Sequence, residues 1–285
     1  MQPDLVETQA ARSLLDELLS DSKLYTQRKE YKELLDFVVR LRNFAPFNAM
    51  LLQIQKPGLS YAASGYDWQE RFGRRPKPGA RPLLILWPFG PVVTVYDVQD
   101  TEGPALPDDV MATFIAKGAI DAGRVSSFLR LLGKKHIDWV TVDTGDLSAG
   151  SIRLQKRASS DKEAHVYQLR INRNHEPATQ FTTIAHELAH LFLGHLGPDR
   201  KLNVPERPSM GKTQQEIEAE SVAFLVAARN GVKSKSDRYL SDYVTQHTTV
   251  EHIDIYQVMR AAGQVESLLG LSAHSTYKKP RARGL

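Results

Sequence analysis

The sequence predicts an α+β fold with two domains, a small one of helices and short strands followed by a larger one in which helices pack against a small sheet. Apolar residues recur at helical spacing in three segments, 23–43, 182–193 and 214–230. Short apolar runs beside Pro and Gly favour strands at 82–87 and 92–98, and alternation of side chains favours a third strand at 164–172. A turn-rich, acidic segment at 99–112 is typical of a domain boundary. We therefore place a first domain at 1–105, a second at 106–271 and a basic tail, expected to be disordered, at 272–285.

The composition is that of a protein with packed cores and no disulfides. Of the 285 residues, 41% are hydrophobic and none is Cys, so nitrogen and oxygen atoms would have to hold any metal. The formal net charge of +4 is too small to diagnose nucleic-acid binding. No apolar run reaches membrane-spanning length, and the first ten residues, MQPDLVETQA, do not resemble a signal peptide. We expect a cytoplasmic protein without a membrane partner.

Each predicted element of the first domain follows from a local pattern. Residues 23–43 combine an apolar stripe with basic positions, which favours an amphipathic helix. Pro46 suits the first turn of a second helix, at 46–55. The two predicted strands, 82–87 and 92–98, are joined by a turn, Pro-Phe-Gly-Pro.

The second domain is predicted to open with a helix near 121–133 and a strand near 136–142. Residues 164–172 alternate well enough for a further strand, which immediately precedes the most distinctive helix. We interpret this strand as an edge strand that forms the wall of a cleft and can pair with an extended peptide. Two closing helices are predicted, at 236–247 and 250–270.

The most informative motif is H-E-x-x-H, at His186, Glu187 and His190. Residues four apart are neighbours on a helix, so the two imidazoles can hold one Zn²⁺, with Glu187 close enough to accept a proton from water. The alternative is a chance match on a surface helix with two solvated histidines. Gly194, shortly after the motif, leaves a smooth surface that another backbone can approach.

A catalytic zinc ion normally has three protein ligands and one open position, so a third ligand must come from elsewhere. The helical segment at 214–230 carries three carboxylates, and we select Glu216 as ligand and Glu220, one turn later, as the residue that orients a ligand histidine. Glu218 points elsewhere on that helix, and His195 is a weaker rival ligand. Alternatively, the acidic residues only favour the start of a helix through its dipole.

The implied chemistry is metal-assisted amide hydrolysis, with Glu187 passing a proton to the leaving amine. A tetrahedral oxyanion would need a further donor. The carboxy-terminal segment offers four candidates, and no spacing rule selects among them: Tyr239, Tyr243, His252 and Tyr256.

Aromatic and basic residues interleave between the first helices and the first strands. Tyr66 and Trp68 could stack on unpaired bases while neighbouring cations neutralise phosphates, which favours single-stranded DNA. These cations are Arg71, Arg74, Arg75 and Lys77. Alternatively, Tyr66, Trp68 and Phe72 pack the core of the small domain, and the residues alone leave both interpretations open.

Two stretches, FTTIAHELAHLFLGH and QQEIEAESVAFLVAARNGV, resemble the zincin-like peptidase domain of ArdC-type antirestriction proteins. They are more distantly similar to the ImmA/IrrE metallopeptidases, whose E-x-x-A-N/E helix supplies the third ligand, and this matches Glu216 to Glu220. The resemblance implies a gluzincin-like metallopeptidase fold for the second domain. The stretch FAPFNAMLLQIQKPGLSYAASGYDWQERFGRRPKPGARPLLIL, followed by VYDVQDTEG, is similar to the single-stranded-DNA-binding domain of the same family, although a lysine-rich turn of that family reads Lys-Pro-Gly-Ala here.

Two functional hypotheses follow. In the first, the protein is a zinc-dependent peptidase that cuts a protein or peptide substrate and carries a DNA-binding domain. In the second, it is an antirestriction protein that shields single strands, and its zinc domain is structural or regulatory.

Overall fold

The computed structural model describes residues 28–86, 92–106, 120–143, 149–160, 162–233 and 253–271. Several predictions therefore lie outside the described residues. These are the turn at 88–91, much of the boundary segment 99–112, the helix at 236–247 and the basic tail at 272–285. Three of the four proposed oxyanion donors, Tyr239, Tyr243 and His252, lie outside them as well.

Helices and short strands occur in mixed order along the described residues, which confirms the α+β class. The helices are α1 (Arg28–Arg40), α2 (Pro46–Gln55), α3 (Gly65–Phe72), α4 (Ala122–Gly133), α5 (Pro177–Phe192), α6 (Lys212–Arg229) and α7 (Ile255–Leu268). The strands are β1 (Ala62–Ala63), β2 (Arg75–Pro76), β3 (Leu83–Leu86), β4 (Val92–Asp97), β5 (Thr101–Glu102), β6 (Ile137–Val142), β7 (Gly150–Lys156) and β8 (Val166–Asn172). Among the described residues, no helix combines the length and apolar character needed to cross a lipid bilayer.

The sheet next to α5 has the order β6-β8-β7, with β6 parallel and β7 antiparallel to β8. The strand predicted at 164–172 is therefore the central strand, and its interpretation as an edge strand is wrong. Its alternating residues Tyr167, Leu169 and Ile171 are buried, as the pattern predicts. Strand β7, which was not predicted from the sequence, forms the edge of the sheet on the other side of β8.

One hydrophobic core runs through most of the described residues. Buried side chains of α1 and α2 belong to the same cluster as those of α5, α6 and α7. The amino-terminal helices therefore help to bury the helices that carry the H-E-x-x-H motif and the predicted third ligand. The exact domain boundaries stay a prediction.

Buried polar contacts reinforce this joint core. The Arg229 guanidinium pairs with the Glu266 carboxylate at 2.8 Å and donates to the backbone carbonyls of Val38 and Phe44 at 2.6 and 2.9 Å. Because Phe44 follows α1 in a short loop, Arg229 satisfies carbonyl oxygens that would otherwise be buried without a partner.

A second, smaller cluster lies in the segment between α2 and residue 106. Its fully buried members are Tyr61, Ala63 and Trp68, and Phe72 and Tyr96 pack against it. The Tyr61 ring meets those of Trp68 and Phe72 edge-on, with centroids 5.5 and 5.9 Å apart. Aromatic packing thus forms the core of the segment between α2 and residue 106, which we call the small lobe.

Candidate metal centre

Helix α5 presents the H-E-x-x-H motif at the edge of the core. Pro177 occupies the first turn, where its missing N–H costs nothing, and Phe181, Ile184 and Leu188 are completely buried. This apolar stripe fixes the rotation of the helix, so the motif side chains lie half-buried on another face.

Three donor atoms of the predicted ligands converge at one point. His186 Nε2 lies 3.2 Å from His190 Nε2 and 3.4 Å from Glu216 Oε2, and that oxygen lies 3.7 Å from His190 Nε2. Bonds of about 2.0–2.1 Å at tetrahedral angles place neighbouring donors about 3.3–3.4 Å apart. Two imidazole nitrogens and a carboxylate oxygen at this spacing fit a divalent metal ion such as Zn²⁺.

The buried faces of helix α6 fix its orientation, so that Glu216 lies on the side that faces His186 and His190. Ile217, Ala219 and Val222 are almost completely inaccessible, whereas Glu216 lies half-buried beside the histidines. The hydrogen bond with His186 lowers the pKa of Glu216, which keeps the ligand ionised at neutral pH.

Glu220 lies on the side of His186 that faces away from the other donor atoms. Its Oε1 is 3.4 Å from Nδ1 of His186, while Nε2 of the same ring faces Glu216 and His190. Burial disfavours the charged imidazole, but Glu216, Glu220 and Glu187 outweigh that effect and raise the pKa of His186. The two carboxylates on α6 thus hold this ring from both sides.

His190 has a different neighbour behind it. Its Nδ1 lies 2.8 Å from Nδ1 of His195, and Nε2 of His195 lies 3.3 Å from Glu218 Oε2. Burial and the two neighbouring histidines lower the pKa of His190 to about 4, so the ring is neutral at pH 7. His195 does not face the metal position directly.

Glu187 lies next to β7. Burial raises the pKa of its carboxyl, although the nearby His186 and the adjacent backbone of Ile152 favour its charged form. A raised pKa brings a carboxylate closer to the value that suits a general base near neutral pH. Glu187 therefore has the surroundings expected of a proton acceptor.

Gly150 allows β7 to approach α5 closely. A Cβ atom at this position would lie 2.6 Å from Thr183 Cγ2 and 2.7 Å from the Arg170 carbonyl oxygen. Only glycine fits this contact, which brings the start of the strand against the motif helix.

Gly194 ends α5 in a left-handed conformation, with φ +81°, and the predicted close approach of another backbone is confirmed. A Cβ atom there would lie 2.8 Å from the carbonyl oxygen of Pro205. Gly194 N–H bonds to Leu191 O at 3.1 Å and His195 N–H to His190 O at 3.0 Å, which is the Schellman pattern of helix ends. This turn brings the His195 side chain back to His190.

The structure separates the residues predicted to bind DNA into two groups. The Trp68 side chain is completely buried, and its ring N–H donates to Tyr96 O at 2.9 Å, so it has no face to offer a base. Arg74 lies over the Trp68 ring and donates to Thr101 and to several carbonyls, including that of Pro104. The prediction that Trp68 stacks on a base is therefore corrected, because its side chain packs the core of the small lobe. Arg74 is half-buried in contacts within the same lobe, and its proposed DNA contact stays a prediction.

The other group lies at the surface. Tyr66 is 60% exposed, in contrast to the predicted alternative that it packs in the core. Arg75 pairs with Glu102 at 2.8 Å, and Lys77 donates to Gln99 O at 2.9 Å. Arg71 lies with its guanidinium 5.1 Å from the centre of the Phe72 ring. Exposed contacts of this kind contribute little and can rearrange when a phosphate approaches.

Sequence reasoning missed the group formed by His195, Glu218 and Arg207. Glu218 is completely buried and accepts from both terminal nitrogens of Arg207, at 2.5 and 3.1 Å. A signal for it existed, since Glu218 lies four residues before the buried Val222 on the same face of α6. No local pattern singled out Arg207, which lies in an irregular loop.

Of the four proposed oxyanion donors, the described residues include Tyr256. Its ring packs edge-on against Phe47, with centroids 5.1 Å apart, at the start of α7. This contact assigns it no role in the metal centre.

His186, His190 and Glu216 form a candidate metal centre. Residues 148–230, which include the predicted ligands and the predicted base, match the family model of the IrrE N-terminal-like domain, Peptidase_M78. The resemblance inferred from the sequence to IrrE-type metallopeptidases is confirmed for this segment. No curated protein matches the chain.

The solved structures similar to the chain include two of the antirestriction ArdC protein from the R388 plasmid. The Mn(II)-bound structure is 16% identical over 87% of this chain and 99% of its own, with a TM-score of 0.40. The metal-free structure is 18% identical over 79% of this chain and 82% of its own, with a TM-score of 0.37.

Proposed function

We propose that the protein is a zinc-dependent metallopeptidase in which His186, His190 and Glu216 hold the metal and Glu187 is the general base. The observation that carries this proposal is the convergence of the three donor atoms, 3.2 to 3.7 Å apart, beside the half-buried carboxylate of Glu187. The match of residues 148–230 to a peptidase family model supports it.

In the proposed mechanism, a bound Zn²⁺ would lower the pKa of water and polarise the scissile carbonyl. Glu187 accepts the proton of the attacking water and transfers it to the leaving amine. The backbone of Ile152 lies beside the Glu187 carboxylate and favours its charged form, and Glu220 holds the ring of His186.

The substrate strand is proposed to lie along β7 rather than along β8. In the described sheet β7 pairs with β8 only, so one row of its backbone groups is available to an added strand. This row runs beside Glu187, because Gly150 and Ile152 both approach that side chain. The backbone carbonyl groups of an extended peptide paired with this edge would lie beside Glu187.

The test is Glu187→Gln, which keeps the shape of the side chain and removes the base. We expect unchanged zinc content and a fall in the rate of peptide cleavage of about 10²–10⁴-fold. The substrate is a mixture of peptides from a digested protein, and mass spectrometry measures the cleavage products. The matched control is Glu70→Gln, a change at an exposed glutamate, which should leave cleavage unchanged. Full cleavage by the Glu187 variant, or wild-type protein without bound metal, would contradict the proposal.

A second candidate function is binding of single-stranded DNA, favoured by the exposed ring of Tyr66 in a segment with Arg71, Arg75 and Lys77. In this alternative the metal centre is structural or regulatory and the protein acts as an antirestriction factor. Titration of a fluorescent single strand with the full chain tests it. Tyr66→Ala should weaken binding by about 1–3 kcal/mol, and affinity should fall as salt rises. Binding that is absent, or independent of salt, would exclude it.

A further inference from the structure

The two metal-facing imidazoles are held from behind by different groups. A carboxylate, Glu220, lies at Nδ1 of His186, whereas a third imidazole, His195, lies at Nδ1 of His190. We propose that His195 is a positioning residue that fixes the tautomer and orientation of His190 and thereby sets the metal affinity of the site. This inference rests on the proposed function, because it takes His190 to be a metal ligand.

The position of His195 follows from how α5 ends. Gly194 takes the left-handed conformation, and the hydrogen bond from His195 N–H to His190 O closes the turn at 3.0 Å. In this type of helix end, the residue after the glycine contacts the residue five positions earlier. That contact is usually apolar, and here it is a 2.8 Å approach between two ring nitrogens.

The hydrogen-bond directions along this chain of side chains are determined by chemistry. A histidine that offers Nε2 to a metal carries its proton on Nδ1, so His190 donates and His195 Nδ1 accepts. His195 then carries its own proton on Nε2, which lies 3.3 Å from Glu218 Oε2. Glu218, as a carboxylate, accepts. With His195 neutral, this series of bonds selects the tautomer of His190 that leaves Nε2 free for the metal.

Besides His195, two other segments of the chain hold Glu218. Arg207 donates to it from the loop after α5, and the backbone N–H of Asp254 donates to it from the start of α7 at 3.1 Å. Arg207 also donates to Leu193 O at 3.3 Å, which ties the same loop to the end of α5. The side chains of His195 and Glu218 are only 2% and 0% exposed, so water does not compete with these bonds.

A purely structural role is the competing explanation, in which His195 serves only to give Glu218 a partner. Two amide substitutions separate the alternatives. In His195→Asn the side-chain oxygen can take the place of Nδ1 and accept from His190, but the shorter side chain has no donor that reaches Glu218. In His195→Gln the amide nitrogen can take the place of Nε2 and donate to Glu218, but His190 Nδ1 loses its acceptor.

The experiment measures zinc affinity of the full chain by competition with a chromophoric chelator, together with the visible absorption spectrum of the Co²⁺ form. We expect affinity within a few-fold of wild type for His195→Asn, and roughly 10- to 100-fold weaker affinity for His195→Gln and His195→Ala. The Co²⁺ spectrum should change in the same two variants. A histidine outside the site provides the control, His165→Gln, which should bind zinc as the wild type does.

Equal zinc affinity in folded His195→Gln and wild-type protein would overturn the inference, as would weaker binding by the asparagine variant than by the glutamine variant. Thermal unfolding with a chelator present shows which variants fold, and if the asparagine variant does not, the glutamine variant decides alone. Wild-type protein that binds no metal would instead overturn the proposed function, so the two failures are distinguishable.

Discussion

Glu216, Glu218 and Glu220 lie within little more than one turn of α6, yet each has its own surroundings. Glu216 and Glu220 are four residues apart and share the face that meets His186. Glu218 lies between them in sequence but on the buried face, where Arg207 and His195 hold its charge. Burial raises its pKa, but these two partners outweigh that effect and lower it, so the buried carboxylate stays ionised.

At the scale of single residues, we predict that His190→Ala removes most of the bound metal. Two remaining ligands cannot hold the ion well, and the Nδ1 acceptor on His195 would lose its donor as well. Metal content after gel filtration, measured by elemental analysis against wild type, checks this. Stoichiometric zinc in the variant would show that His190 is not a ligand.

The sequence was most informative about individual residues of the candidate metal centre. The two histidines and Glu187 lie one turn or less apart on one helix, so local geometry alone predicted their neighbourhood. Glu216 could be selected because it lies four residues before another acidic residue, in a pattern shared with a known family. The ion pair between Glu218 and Arg207 could not be predicted, since it joins a helix to an irregular loop.

At the scale of elements, the contact between α5 and β7 decides where the predicted base lies. Strand β7 was not predicted, although Ile152 and Leu154 alternate with polar residues in its sequence, GSIRLQK, because two apolar residues make only a short pattern. Strand β8 was predicted but placed at the edge of the sheet, since periodicity identifies a buried face and not the order of strands. Pairing between distant segments settles that order.

We predict that Gly150→Ala destabilises the protein and reduces the proposed peptide cleavage. The added Cβ would lie 2.6 Å from Thr183 Cγ2 and 2.7 Å from Arg170 O, so β7 must move away from Glu187. The free energy of unfolding should fall by about 1–3 kcal/mol, measured by urea denaturation.

The matched control for that change is Gly133→Ala, in the last turn of α4, where an added Cβ has no neighbour within 4 Å. A helical glycine replaced by alanine is expected to be neutral or to stabilise by up to about 1 kcal/mol. Equal stability of the two variants would contradict the close approach of β7 to α5.

At the scale of the whole molecule, the amino-terminal helices and the metal-centre helices stabilise each other through one core. The Tyr31 hydroxyl on α1 donates to Ser221 Oγ on α6 at 2.8 Å, five residues after the predicted ligand Glu216. Arg229, at the end of α6, donates to backbone carbonyls on and after α1. Removal of the amino-terminal segment would therefore expose the buried side of α6.

The Tyr31 contact predicts how stability changes in alkali. Burial raises the pKa of Tyr31 from its ordinary value of 10.0, so the folded chain keeps this proton at a pH where the unfolded chain loses it. The stabilisation is complete below pH 10 and is lost as the pH rises above it. The slope contributed by one proton is up to about 1.4 kcal/mol per pH unit.

We predict that Tyr31→Phe reduces this slope and costs about 0.5–1.5 kcal/mol at pH 8 for the lost hydrogen bond. Ser221 keeps its own bond to Ile217 O at 2.8 Å, so the buried hydroxyl is not left without a partner. Urea denaturation with a chelator at pH 8 and pH 11 measures both effects, and Tyr66→Phe, at an exposed tyrosine, gives the background. An unchanged slope in the Tyr31 variant would contradict the prediction.

Short-range spacing along the chain was enough to predict the α+β class, the approximate positions of the long helices and the common face of the H-E-x-x-H residues, because helical spacing brings such residues together wherever the helix lies. The choice of Glu216 also used a pattern shared with a known family and stays a prediction. The strand order, the burial of Trp68, the contacts of Arg74 in the small lobe and the contact of Glu218 with His195 became visible only in the folded protein. Each of these depends on which distant segments meet, since a side chain's burial and its partners are properties of the packed core and not of its own segment.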